Sequence, residues 1–138
     1  MDLKASATLA VPHDRVLAEV ADLGTYPHWL GIVHAAEPAA DRAWSVELGA
    51  RLGPFKKTKR VRMVRTVHDV NHVRFERAEL DGRAHSPWVL AAEVRPVGDG
   101  THLAMHLHYG GSAWLPGLDL VLAQEVRRAG SRLEAKLL

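Results

Sequence analysis

The sequence predicts an α+β protein: a curved antiparallel sheet of about seven strands wrapped around one long C-terminal helix, with two short helices after the first strand. Three observations lead there. Hydrophobic residues alternate with period two from about His34 to Gly110, the repeat of half-buried strands. The last stretch changes to steps of three and four, as a helix requires. Between the first strand and the alternating region stand Pro12, Gly24, Thr25 and Pro27, residues that start and stop short helices.

In chain order, Asp2 to Val11 puts Leu3, Ala5, Ala7, Leu9 and Val11 on one strand face. Pro12 lacks an N–H and suits the first turn of a helix, in which Val16, Leu17 and Val20 recur at helical spacing and Gly24 is the expected stop. Thr25 is the expected cap of the second helix, with Pro27 in its first turn and Trp29 and Leu30 facing inward. Five alternating faces follow: Trp44-Val46-Leu48-Ala50, Val61-Met63-Arg65-Val67, Val73-Phe75-Arg77-Glu79, Trp88-Leu90-Ala92-Val94 and Leu103-Met105-Leu107-Tyr109. Asp81-Gly82 predicts a hairpin turn and Gly98-Asp99-Gly100 another, so the strands form a meander rather than βαβ units. Pro116 fits the start of the final helix, whose stripe is Leu118, Leu122, Val126, Ala129, Leu133 and Leu137, with Arg127, Ser131 and Glu134 opposite. At ~1.5 Å per residue the helix is about 30 Å long, enough to cross a whole sheet.

Composition narrows the function classes. A 138-residue chain that is 47% hydrophobic and 25% charged is neither disordered nor a coiled coil nor a membrane span. A net charge of +2 is too small an excess to serve as an electrostatic footprint for nucleic acid or anionic lipid. Cysteine is absent, which excludes disulfides, thiol nucleophiles and thiolate metal sites and makes a cytoplasmic location the expectation. The N-terminal stretch has no apolar core fit for a signal peptide or anchor. With no linker, repeat or low-complexity segment, one domain over residues 1–138 is expected.

Particular residues carry a family resemblance. Val11-Pro12 ends the first strand, Val16-Leu17 lie in the first helix, and Asp22-Leu23 runs into Tyr26-Pro27-His28-Trp29. Trp88 stands on a central strand, Gly100-Thr101 opens the last one, and an amphipathic helix follows Pro116. This pattern resembles the START-like superfamily with the Bet v 1-type helix-grip fold (SRPBCC), in its bacterial polyketide cyclase/dehydrase-like branch. Leu17 departs from it, since many relatives carry a bulky aromatic there. The resemblance implies a pocket between sheet and C-terminal helix for a hydrophobic or aromatic small molecule, polyketide-like or lipid-like. Two uses of the pocket stay open: cyclase or dehydratase chemistry, or non-catalytic carriage of a lipid or quinone.

Mapping the alternation onto that pocket gives Val46, Leu48, Met63, Phe75, Trp88, Leu90, Met105, Leu107, Leu118, Leu122 and Val126 as its expected ligand-binding wall. Arg77 and Arg65 share inward parity with apolar neighbours, and Glu125 falls inside the helical stripe. A buried charge needs a partner or a ligand. Arg77 or Arg65 is therefore the candidate stabiliser of a carboxylate or enolate, and Glu125 or Tyr109 the candidate proton carrier. The alternative is an internal Arg–Glu pair that only closes one end of the sheet.

The remaining motifs point away from other chemistries. His102, His106 and His108 share the outer face of the last strand, without a third ligand at a known spacing, so no metal and no cofactor is expected. The run Lys56 to Arg62 is the densest basic stretch and reads as a solvated strand face. The expected partner is a hydrophobic small molecule, with no nucleic acid and no membrane span; monomer and homodimer both stay open.

Overall fold

Alternation builds the sheet and proline ends its first strand. In the computed structural model, which describes residues 1–110 and 118–138 apart from the side chains of Leu52, Leu118 and Asp119, β1 spans Asp2–Leu9. Pro12 then precedes α1 (His13–Val20), which buries Val16 and Val20. A 3-10 helix follows over Leu23–His28. Six more strands come next: β2 (Val33–Ala39), β3 (Ala43–Leu52), β4 (Phe55–His68), β5 (His72–Arg77), β6 (Trp88–Val97) and β7 (Gly100–Tyr109). The last element is α2 (Leu118–Leu137).

All seven strands form one antiparallel sheet in the order β1-β7-β6-β5-β4-β3-β2. Consecutive strands pair from β2 to β7, and β1 closes the edge beside β7, with Leu3 opposite Leu107 and Ala5 opposite Met105. Pro38 is tolerated because β2 is the other edge. The apolar parity of every strand faces α1, the 3-10 helix and α2, and these side chains form one buried cluster with Val126, Ala129 and Leu133 of α2. Gly130 lets α2 approach β1 closely: a Cβ there would meet the Ala7 Cβ at 2.6 Å.

Three local expectations are corrected. The short helix is capped by Asp22, whose Oδ1 accepts from the Gly24 N–H at 2.9 Å, not by Thr25. Thr25 instead donates to the Glu19 carbonyl at 2.8 Å, and α1 ends at Ala21, before Gly24. Asp81-Gly82 does not form a tight hairpin: β5 ends at Arg77 and β6 begins at Trp88. Asp81 does make a local turn, accepting from the Arg83 N–H at 3.0 Å, but inside a longer loop. Pro116 and the Leu118 side chain lie outside the described residues.

Candidate functional site

The inner face of the sheet carries the site, and among the described residues its apolar wall is packed. Val46, Leu48, Met63, Phe75, Trp88, Leu90, Met105, Leu107, Leu122 and Val126 are all between 0 and 3% exposed. A void open to a water-sized probe would leave its wall accessible, so in this form these residues are core. Beside Val126 and Gly130, where α2 meets β1 and β7, only about 10 Å³ remains. A larger depression of about 720 Å³ lies on the opposite face of the sheet, among Lys4, Arg74, Ala91 and His106, away from α2.

The expected hollow is filled by rings from the 3-10 helix. Tyr26 and Trp29 lie 4.3 Å apart, and Tyr26 meets Phe75 edge-on at 5.7 Å. Phe75 in turn meets Trp44 edge-on at 5.4 Å. The Tyr26 hydroxyl donates to the Val20 carbonyl at 2.8 Å, and full burial pushes its pKa well above the ordinary phenol value. Trp29 faces inward as the sequence pattern predicts, and Tyr26 joins it in filling the sheet beside α2.

One end of the inner face is polar. Arg77 is opposite Met63 on β4, and its side chain is 8% exposed. Its Nε donates to Glu79 Oε1 at 2.9 Å, and a terminal nitrogen donates to the Ser86 carbonyl at 3.2 Å. The same Glu79 oxygen accepts the Arg62 N–H at 3.0 Å. Partial burial raises the Glu79 pKa, but the Arg62 N–H and Arg77 outweigh it and hold the carboxyl below its ordinary value. Lys59 is half-buried on the same parity, and its ammonium pKa is lowered, first by burial and then by Arg77. Trp88 and Tyr109 stack beside this cluster, centroids 5.0 Å apart, and the Tyr109 hydroxyl donates to Met1 Sδ at 3.3 Å.

The four polar residues singled out from sequence are not brought together. Arg65 does have inward register, opposite Phe75, but it is exposed, and a bulge follows it. It donates to the Ala21 carbonyl at 2.7 Å, placing a cation on the C-terminal end of α1. Glu125 rests on Gly31, where a Cβ would overlap its carboxylate, and binds Arg132 at 2.7 Å with Arg128 at 3.8 Å. Arg77 and Tyr109 alone stand at the polar end. Glu79 and Lys59 belong there too. Lys59 is two residues from Val61, so its inward parity is visible in the sequence, hidden only by the neighbouring basic residues.

His106 Nε2 and His108 Nδ1 lie 2.7 and 3.0 Å from Asp2 Oδ1 on the outer face. These imidazoles lower the Asp2 pKa through hydrogen bonds, His106 first, and tie β1 to β7.

The helix-grip layout matches known proteins along its whole length. The model of the family described as polyketide cyclase / dehydrase and lipid transport matches residues 1–137. The chain belongs to that family. No curated protein matches it. Among solved structures, DR_A0006 from Deinococcus radiodurans superposes with a TM-score of 0.72 at 16% identity, covering 99% of this chain and 96% of that one. TTHA0849 from Thermus thermophilus gives 0.72 at 17% identity, with 99% and 97% covered. A START superfamily protein from Mycobacterium smegmatis gives 0.70 at 15% identity, with 99% and 96% covered. At these identities the structures establish the START-like fold, and the family supports hydrophobic ligand binding in general. No helix among the described residues is long and apolar enough to cross a membrane.

Proposed function

We propose that this family member is a carrier for a hydrophobic small molecule with an anionic end, held between the sheet and α2. The observation that carries this reading is the pair of inward cations, Arg77 and Lys59, set at one end of an otherwise apolar inner face with a single carboxylate, Glu79, between them. An apolar body would displace part of the α2 stripe, and the anionic end would take the place next to Lys59 and Arg77.

A carrier fits better than a cyclase or dehydratase because the candidate acid/base carboxylate is elsewhere, and the Tyr109 hydroxyl at the polar end is turned to Met1 Sδ. Glu125 is committed to Arg132 and Arg128 on the flank of α2, and Arg65 to α1. Arg77 is thus a positioning group for cargo in this reading.

Native mass spectrometry of freshly purified protein should find a co-purified small molecule. Titration with anilinonaphthalene sulfonate, an apolar anion, should show saturable binding that Arg77→Met and Lys59→Met each weaken by about tenfold, the worth of a charged hydrogen bond. Phenylnaphthylamine, its uncharged counterpart, should bind the variants as it binds the wild type. No binding of either probe sinks the carrier reading, and equal weakening for both sinks the role given to the cations.

A further inference from the structure

Beyond Lys59, the end of the β3–β4 hairpin carries features that neither the fold nor the cargo site uses. β2 pairs with β3 only as far as Leu48, and β5 with β4 only as far as Met63. One more backbone bond on each side, Gly49 N–H to Ile32 and Ala78 N–H to Arg62, ends the pairing with neighbouring strands, and Ala50 is, among the described residues, the last of β3 buried in the core. The ribbon beyond continues through Ala50–Lys57 and Arg51–Lys56 to Leu52–Phe55 as a two-stranded arm. Its tip turns at Gly53, whose φ of 60° suits glycine.

Three properties of this arm go together. Phe55 is 62% exposed at the tip. From Gly49 to Arg62 there are six basic residues and no acidic one, in a chain whose net charge is only +2. Arg51 and Lys56 stand directly opposite each other, a like-charge pair that costs stability on a bare ribbon. The side chains of Arg51, Lys56 and Lys57 make no hydrogen bond or ion pair among the described residues, whereas Arg60 bonds Ser45 and Glu47 nearer the sheet. Charge on an edge needs only to be present to block aggregation; it does not need to be set in an opposed pair behind an exposed ring.

We propose that the β3–β4 hairpin docks the protein on an anionic lipid surface, with Phe55 entering the headgroup–acyl boundary and Arg51, Lys56 and Lys57 meeting lipid phosphates. The order of the layers decides for a membrane over a nucleic acid. The exposed ring stands in the last strand pair before the turn and the cations sit one or two residues behind it, about 3–7 Å back along the strands, as in the boundary between acyl chains and headgroups. A phosphate groove would instead call for the cations at the extremity. The docking does not depend on the cargo reading, since Arg51, Phe55, Lys56 and Lys57 are none of the cargo-holding residues, although the arm leaves the sheet at the end where Lys59 and Arg77 stand.

The test is co-sedimentation of the full chain with phosphatidylcholine vesicles, with and without phosphatidylglycerol, at low and high salt. Binding is expected only with phosphatidylglycerol, and is expected to fall as salt rises. Phe55→Ser and, separately, Lys56→Glu with Lys57→Glu should each reduce it by about tenfold, with circular dichroism unchanged because all three side chains are exposed. The chain lacks cysteine, so Phe55→Cys offers one site for an environment-sensitive fluorophore, whose emission should shift to the blue on anionic vesicles. Absence of wild-type binding to those vesicles overturns the proposal. So does retained binding by Phe55→Ser, which would leave only adsorption to any polyanion, duplex DNA included.

Discussion

Replacing Arg77 by methionine tests the polar end of the inner face directly. The substitution keeps the length of the apolar stem and removes the donors to Glu79 and to the Ser86 carbonyl. Breaking a fully buried ion pair costs ~3–5 kcal/mol because one charge is stranded. Here Glu79 is 20% exposed and keeps the Arg62 N–H, so solvent and that bond absorb part of the loss. A cost of about 1–2 kcal/mol is expected after that discount. At this chain length each kcal/mol is worth roughly 3–5 °C in Tm. The double variant Arg77→Met with Glu79→Gln should recover part of the loss, giving a coupling energy of about 1 kcal/mol in a double-mutant cycle.

The pH dependence gives a second handle on the same pair. The folded Glu79 pKa is depressed, so its contribution to stability is present above the ordinary value of 4.5 and is lost as pH falls through the folded value. Without Arg77 one of the groups that lower it is gone while its burial remains, and the contribution shrinks. Thermal melts from neutral pH down to about pH 3 should therefore show a smaller acid-side loss for Arg77→Met than for the wild type. Additive single-variant effects with identical acid limbs would refute the pairing.

Two further outcomes concern the frame that holds the site. A Cβ on Gly100 would fall well inside contact distance of the Leu9 carbonyl oxygen, backbone against backbone in paired strands; a Cβ on Gly31 overlaps more severely, but with the movable Glu125 carboxylate. Gly100→Ala should therefore cost about 2 kcal/mol and Gly31→Ala less than half of that in denaturant titrations, the opposite ranking to the overlaps. Thr101 is fully buried and donates to the Val11 carbonyl at 2.6 Å, so Thr101→Val should cost about 1–2 kcal/mol although the shape is kept.

Alternation made the sheet legible and left its fillings obscure. Each apolar face from Trp44 to Tyr109 was readable because a strand repeats every two residues whatever it packs against. The α2 stripe was readable for the same reason at its own period, and Leu122, Val126, Ala129 and Leu133 are buried as it required. The partner of Arg77 was not readable. It depends on the course of the chain from Ala78 to Pro87, which has no repeat, and that course brings Glu79 back onto Arg77 instead of leaving it to Glu125. The same holds for the cap, where Asp22 and Thr25 are both capping types and only the backbone path chose Asp22. Whether the interior was hollow was a question of ring volume, and Tyr26 and Trp29 answered it from outside the sheet.

A packed interior and a cargo site are compatible if α2 can lift at modest cost. Among the described residues its polar fastenings to the rest of the fold are at its C-terminal end: Glu134 accepts from the Ala10 N–H at 2.7 Å, Lys136 meets Glu19 at 2.6 Å, and Arg15 donates to the Leu137 carbonyl. Toward the other end the helix is held by burial of Leu122 and Val126. Exposing those two costs ~3–6 kcal/mol, and a guest burying ~300 Å² of apolar surface returns about 7.5 kcal/mol at ~25 cal/mol per Å². The opening cost is then a tax on apparent affinity. Leu122→Ala lowers that tax, so it should destabilise the protein by ~2–5 kcal/mol while binding anilinonaphthalene sulfonate more tightly. Opposite signs in stability and affinity are the signature of a guest that competes with α2. If affinity falls in step with stability, the guest sits on the packed face rather than beneath the helix.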